Sequence, residues 1–135
     1  MKCILYLVFL IILSDCKGID NAIFFEVNRF TGNGGEYNVK VGDIFALKLN
    51  TVANSWVLLN KNEIKSSVTF LKTDISEPQP KDSLGNERGG YLYYYFKANS
   101  KTTEPVLLKF TDAYSYLKQA EPIPKEVFKI NVDEK

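Results

Sequence analysis

The side chains that enzymes use most often are scarce in this chain. It has no histidine, and its two cysteines, Cys3 and Cys16, both lie close to the N-terminus. Without histidine the chain lacks the usual group for acid–base catalysis at neutral pH and a common metal ligand. The carboxylates, serines and lysines that remain form no recognisable catalytic motif. We therefore predict a protein that is not an enzyme and has neither a metal site nor a cofactor.

Three polar loops are the best candidates for function, because loops on a rigid scaffold carry many binding sites. These loops are residues 50–55, 81–90 and 111–119. The second ends in Gly89 and Gly90, where the missing side chains would let a partner's backbone approach closely. The third holds Tyr114 and Tyr116, and tyrosines are frequent anchors in protein interfaces. These residues favour binding of a partner at the protein surface over catalysis.

The same features also have plain structural interpretations. A Gly-Gly pair often marks only a turn or a bulge. Trp56 follows the first loop on a candidate central strand, and this position favours the core over a contact surface. Tyr91, Tyr93 and Tyr95 alternate along one strand and would cover an outer sheet face or pair across strands.

The elements that must position the loops are short strands separated by Gly, Asn and Pro. The candidates are residues 22–27, 37–41, 44–49, 55–59, 67–72, 91–98, 105–110 and 126–132. Seven to nine short strands with regular turn signals predict an all-β fold, an immunoglobulin-like antiparallel β-sandwich. Residues 112–121 leave an alternative open, since a short helix capped by Asp112 and stopped by Pro122 competes with strand there.

A period of two along these strands predicts which side chains form the core. The set expected to be buried is Phe45, Leu47, Leu92, Tyr94, Phe96, Leu108, Phe128 and Ile130. Since successive strand residues face opposite ways, the tyrosines at 91, 93 and 95 are expected on the outer face of their sheet.

The N-terminus has the pattern of a secretory signal peptide. Met1 and Lys2 precede an apolar run over residues 3–13, which is shorter than the roughly 20 residues of a membrane-spanning helix. We predict a signal peptide over residues 1–18 and one domain over residues 19–135, destined for secretion or for a lysosomal or vesicular lumen. The 17 basic and 16 acidic residues nearly balance, so the electrostatic footprint of a nucleic-acid-binding protein is absent.

The scaffold resembles the chagasin family, which includes the amoebiasins. Residues 33–49, with the turn Val41-Gly42-Asp43, are similar to that family's opening hairpin, and residues 89–98, 105–110 and 127–132 follow in the expected order. The resemblance covers residues 33–133. It implies an immunoglobulin-like inhibitor of papain-family cysteine proteases.

The family's three inhibitory motifs map onto the three loops in altered form. The loop written Asn-Pro-Thr-Thr-Gly before a tryptophan is shorter here and lacks its proline and glycine. The Gly-x-Gly-Gly loop keeps its last two glycines, and Arg-Pro-Trp keeps only an aromatic residue. A literal Gly-x-Gly-Gly at residues 32–35 precedes the hairpin and is set aside. The predicted protease-binding residues are Asn50, Thr51, Val52, Ala53, Asn54, Glu87, Arg88, Gly89, Gly90, Asp112, Ala113 and Tyr114.

The resemblance implies a wedge that blocks the protease without any chemical reaction. Thr51 would lie over the catalytic cysteine, Glu87 to Gly90 would run along the cleft by backbone hydrogen bonds, and Tyr114 would stack on aromatic residues. The expected partner is a cathepsin L- or B-like enzyme bound by a monomer, with no nucleic acid and no membrane after signal removal. The alternatives are a cell-surface adhesion module that uses the row of tyrosines, or a structural or lipid-binding β protein.

Overall fold

Strands dominate the computed structural model, which describes residues 19–27, 34–50, 56–75, 83–85 and 90–135. A short 3-10 helix at Ile19–Asn21 precedes the first strand. The strands are β1 (Ile23–Val27), β2 (Gly35–Lys40), β3 (Ile44–Asn50), β4 (Trp56–Leu58), β5 (Val68–Ile75), β6 (Tyr91–Ala98), β7 (Val106–Asp112) and β8 (Glu126–Asp133), and the helix α1 spans Ala113–Lys118. The predicted strands are thus all present, with ends that differ by a few residues.

Two four-stranded sheets pack together, in the orders β1-β3-β6-β5 and β2-β8-β7-β4. The predicted all-β sandwich is confirmed, although its sheets are mixed rather than purely antiparallel. β1 pairs in parallel with β3, and β2 pairs in parallel with β8. The reason is that each connection reverses the chain direction, so two odd-numbered or two even-numbered strands run the same way. Odd–even neighbours such as β3 and β6 are antiparallel.

The turn between β2 and β3 is a corner between the sheets and not the hairpin that the sequence suggested. Gly42 has a φ of +94°, which a glycine adopts without strain. The Asp43 amide donates to the carbonyl of Lys40 at 3.0 Å, and the Lys40 amide donates to Asp43 Oδ2 at 2.8 Å. The tight turn was therefore predicted correctly, but β2 and β3 belong to different sheets.

The core lies between the sheets and is rich in aromatic rings. All eight side chains predicted to be buried are at most 8% exposed. The ring of Tyr94 in one sheet meets that of Phe110 in the other edge to face, with centroids 5.0 Å apart, and Phe110 meets Phe128 at 5.5 Å. Such pairs add to the area-based stabilisation of the core. The period-two prediction is confirmed.

The open alternative for residues 112–121 resolves as a helix. Asp112 is the N-cap of α1 and accepts a hydrogen bond from the Ser115 amide, while Gln119 closes the helix before Pro122. Within the described ranges, no helix is long and apolar enough to cross a membrane.

Candidate binding surface

The strand register places the flanks of the three candidate loops at one end of the sandwich. Asn50 is the last residue of β3, and it pairs with Tyr91, the first residue of β6. Trp56 is the first residue of β4, and it pairs with Asp112, the last residue of β7. Since residues 51–55 link β3 to β4, these two pairs lie at the same end. We call this end, marked by Asn50, Trp56, Gly90 and Asp112, the loop end.

The predicted loop residues divide into two groups. Thr51, Val52, Ala53, Asn54, Glu87, Arg88 and Gly89 lie outside the described residues. Asn50, Gly90, Asp112, Ala113 and Tyr114 are described, and all are at the loop end. The fold therefore brings the flanks of the three predicted contact loops together at one end of the sandwich.

Trp56 belongs to the core beneath the loop end. Its side chain is 8% exposed, in agreement with the structural interpretation of this residue. The Tyr94 hydroxyl donates a hydrogen bond of 2.6 Å to the Trp56 carbonyl, so the two sheets are tied together just below the loops. Burial raises the pKa of the Tyr94 hydroxyl, which keeps it protonated as a donor.

Asp112 is held inside the protein and positions the third loop. Its carboxylate is buried and accepts hydrogen bonds from the Ser115 amide and the Ser115 hydroxyl, each at 2.9 Å. It also forms an ion pair with Lys125. The Lys125 ammonium, together with the hydrogen bonds from Ser115, holds the pKa of the Asp112 carboxyl well below its usual range. Asp112 thus fixes the first turn of α1, while its own oxygens face inward.

Tyr114 points the other way, into solvent. Its side chain is 69% exposed, and Ala113 beside it is half-buried. The aromatic residue predicted for the third motif is therefore presented by the first turn of a capped helix. Leu117, one turn later and 80% exposed, was not among the predicted contacts. Its helical spacing from Tyr114 would have revealed it once the helix alternative was accepted.

The literal glycine motif at residues 32–35 has a structural role where it is described. Gly34 has a φ of +54°, and its amide donates to Glu126 Oε2 at 2.8 Å. A Cβ on Gly34 would lie 2.1 Å from the carbonyl oxygen of Val127, so only glycine fits. Glu126 is 2% exposed, and sequence reasoning missed it. The available signal was its position, which continues the inward face of Phe128 and Ile130 by the period of two.

The outer face of the β1-β3-β6-β5 sheet, the candidate surface of an adhesion module, is partly covered by its own contacts, although Phe24 is 51% exposed. Phe24 meets the rings of Tyr93 and Tyr95 edge to face, at centroid distances of 5.8 and 6.2 Å. Lys48 Nζ lies 4.1 Å from the ring centroid of Tyr91. Tyr95 is on the outer face as predicted, yet it is buried.

The ranges that the structure describes contain no group of three or more histidine, cysteine, aspartate or glutamate side chains arranged to hold an ion. Among the described residues, the buried carboxylates of Asp112 and Glu126 accept hydrogen bonds from the backbone amides of Ser115 and Gly34.

Similarity to solved structures indicates which known fold the chain has. No protein-family model and no curated protein sequence matches the chain. Among solved structures, it resembles the cysteine protease inhibitor EhICP2 from Entamoeba histolytica with a TM-score of 0.58 and 10% identity, over 83% of this chain and 96% of that one. It also resembles amebosin with a TM-score of 0.51 and 12% identity, over 83% and 98% of the two chains. The chain therefore has the fold of the chagasin-type cysteine protease inhibitors.

Proposed function

We propose that this protein is a reversible inhibitor of papain-family cysteine proteases that inserts its loop end into the active-site cleft. The observation that carries the proposal is the convergence of three loop flanks at one end of a sandwich with the chagasin-type fold. A fold alone does not determine function, so the proposal rests on the geometry of the loop end as well as on the fold.

In this mechanism the inhibitor blocks the cleft by occupying it. Residues 50–55 cover the catalytic cysteine, with Thr51 as the nearest polar contact. Glu87 to Gly90 lie along the cleft and bind through backbone hydrogen bonds, in the manner of an added strand. Tyr114 packs its exposed ring against the protease. No bond forms or breaks in the inhibitor.

Rigidity supports tight binding, because a preorganised surface loses little entropy when it binds. The bond from Tyr94 to the Trp56 carbonyl links the sheets below the loops. The ion pair and hydrogen bonds of Asp112 fix the helix that carries Tyr114. The low pKa of Asp112 keeps this carboxylate charged in an acidic lumen as well as at neutral pH.

The site of action that we propose is the secretory pathway, the extracellular space or a lysosomal or vesicular lumen. It rests on the signal-peptide pattern of residues 1–18, which lie outside the described residues.

The test is an inhibition titration of the full-length gene product, purified from a secreting host, against papain and a cathepsin L-like enzyme. We expect competitive, reversible inhibition, with the inhibitor chain intact on a denaturing gel after prolonged incubation. Absence of inhibition at micromolar concentration against several papain-like enzymes would refute the proposal and turn attention to the adhesion alternative.

A further inference from the structure

Helix α1 has its polarity reversed relative to an ordinary surface helix. Surface helices bury an apolar stripe and expose polar residues. Here the buried side chain is the polar Ser115. The large apolar and aromatic side chains are the exposed ones, with Tyr114 at 69%, Tyr116 at 48% and Leu117 at 80%. Packing among the residues that the structure describes gives no reason for this arrangement.

The outward face of the helix is continuous, and the single charged residue of α1 is Lys118 in its last turn. At about 100° per residue, Leu117 lies nearly opposite the inward-facing Ser115, with Tyr116 on one side and Tyr114 on the other. From Ala113 to Leu117 the helix contains no charged residue. An uncharged apolar surface loses little on desolvation, so it is suited to burial against another protein.

We propose that Tyr116 and Leu117 form, together with Tyr114, an apolar docking face that binds the same protease beside its active-site cleft. This inference rests on the proposed function and extends it to two residues that no inhibitory motif covers. Their role would be to select proteases that present an apolar surface next to the cleft.

The size of the face indicates which protein covers it. The exposed parts of the three side chains amount to an area on the order of 400 Å². A stable complex buries roughly 800 Å² per partner, so this face is too small to hold a partner, or a second copy of the chain, by itself. The face can therefore bind a partner only as part of a larger interface. α1 begins directly after Asp112, which pairs with Trp56, so the adjoining surface is the loop end.

The experiment compares two leucine substitutions in the full-length protein. Leu117→Gln removes the apolar tip of the docking face and keeps a good helix former. Leu107→Gln is the matched control, because Leu107 is 40% exposed near the opposite end of β7. Tyr116→Ser is a second test of the same face. Inhibition constants, melting temperatures and sedimentation velocity are measured for each variant.

We expect the inhibition constant to rise about tenfold for Leu117→Gln and Tyr116→Ser, and to change less than about twofold for Leu107→Gln. The melting temperatures of all three should stay close to that of wild type. If wild type inhibits and the helix variants inhibit equally well, the docking face is refuted and the proposed function stands. If wild type inhibits no papain-like enzyme, the docking face and the proposed function are both refuted. A wild-type dimer that Leu117→Gln dissociates would assign the face to a second copy and also overturn the inference.

Discussion

Two groups of tyrosines on the outside of the sandwich differ in what covers them. Tyr93 and Tyr95 of β6 meet the ring of Phe24, and Lys72 Nζ lies 5.2 Å from the Tyr95 ring centroid. Tyr114 and Tyr116 of α1 keep 69% and 48% of their surface in solvent. The residue type is the same, but the surroundings are not. The tyrosine row therefore stabilises its sheet, whereas the helix tyrosines are available to a partner.

The largest effect that separates the two regions should come from Tyr95→Ala. Tyr95 is 8% exposed, so its removal exposes the surface that its ring covers and removes its contact with Phe24, which should lower the free energy of unfolding by about 2–4 kcal/mol. Inhibition by the folded protein at low temperature should stay close to that of wild type. Chemical denaturation measures the loss of stability, and an inhibition assay at 10 °C measures the inhibition that remains. A strong loss of inhibition with little change in stability would show that the row, and not the helix, is the binding surface.

Tyr114→Ala should give the opposite result. Because the ring is mostly in solvent, the melting temperature should barely change, whereas binding to the protease should weaken by about 1–3 kcal/mol if the ring is an anchor. The inhibition constant and a thermal melt are measured side by side. Unchanged inhibition would remove Tyr114 from the interface.

Asp112→Asn should weaken binding less than Tyr114→Ala, since it acts only through the position of α1. Its effect on stability should depend on pH. The folded state lowers the pKa of Asp112, so the stabilisation is present above the unfolded value of about 4 and disappears as the pH falls through the folded value. The difference in melting temperature between variant and wild type should thus be constant from pH 5 to 7 and shrink below about pH 4. A difference that grows with acidity would contradict this account of Asp112.

The smallest effect should come from Lys48→Gln at the rim of the tyrosine row. Lys48 Nζ lies over Tyr91 and 3.6 Å from Glu26 Oε1, and both interactions are partly exposed. Their loss should reduce the free energy of unfolding by at most about 1 kcal/mol and leave inhibition unchanged. Urea denaturation of the variant and of wild type measures the change in the free energy of unfolding. A larger loss would mean that the row is held together mainly by its charged rim.

The sequence predicted the features that depend on local pattern. Alternation identified the buried set, including Phe96 and Phe128, and Asp112 marked the start of a possible helix. The parallel pairing of β1 with β3 was missed, because alternation looks the same in parallel and antiparallel strands. Alternation with Phe128 and Ile130 placed Glu126 on the inward face, but its partner, Gly34, is 92 residues away along the chain and has no local signal.

The candidate site was predictable only in part. The three loops follow from composition and order, and the register brings their flanks together. The contacts assigned to Thr51 and to Glu87–Gly90 come from the family resemblance and stay predictions. Leu117 was missed because residues 112–121 were left open between helix and strand, and Leu117 shares the exposed side of Tyr114 only in a helix.

The most direct test of the central claim compares two forms of one protease. Calorimetric titration of the wild-type protein is carried out with active papain-like enzyme and with the same enzyme blocked by an irreversible peptide label on its catalytic cysteine. If the loop end enters the cleft, the active enzyme binds with one-to-one stoichiometry and the blocked enzyme does not bind. Equal binding to both forms, or no binding to the active enzyme, would contradict the account.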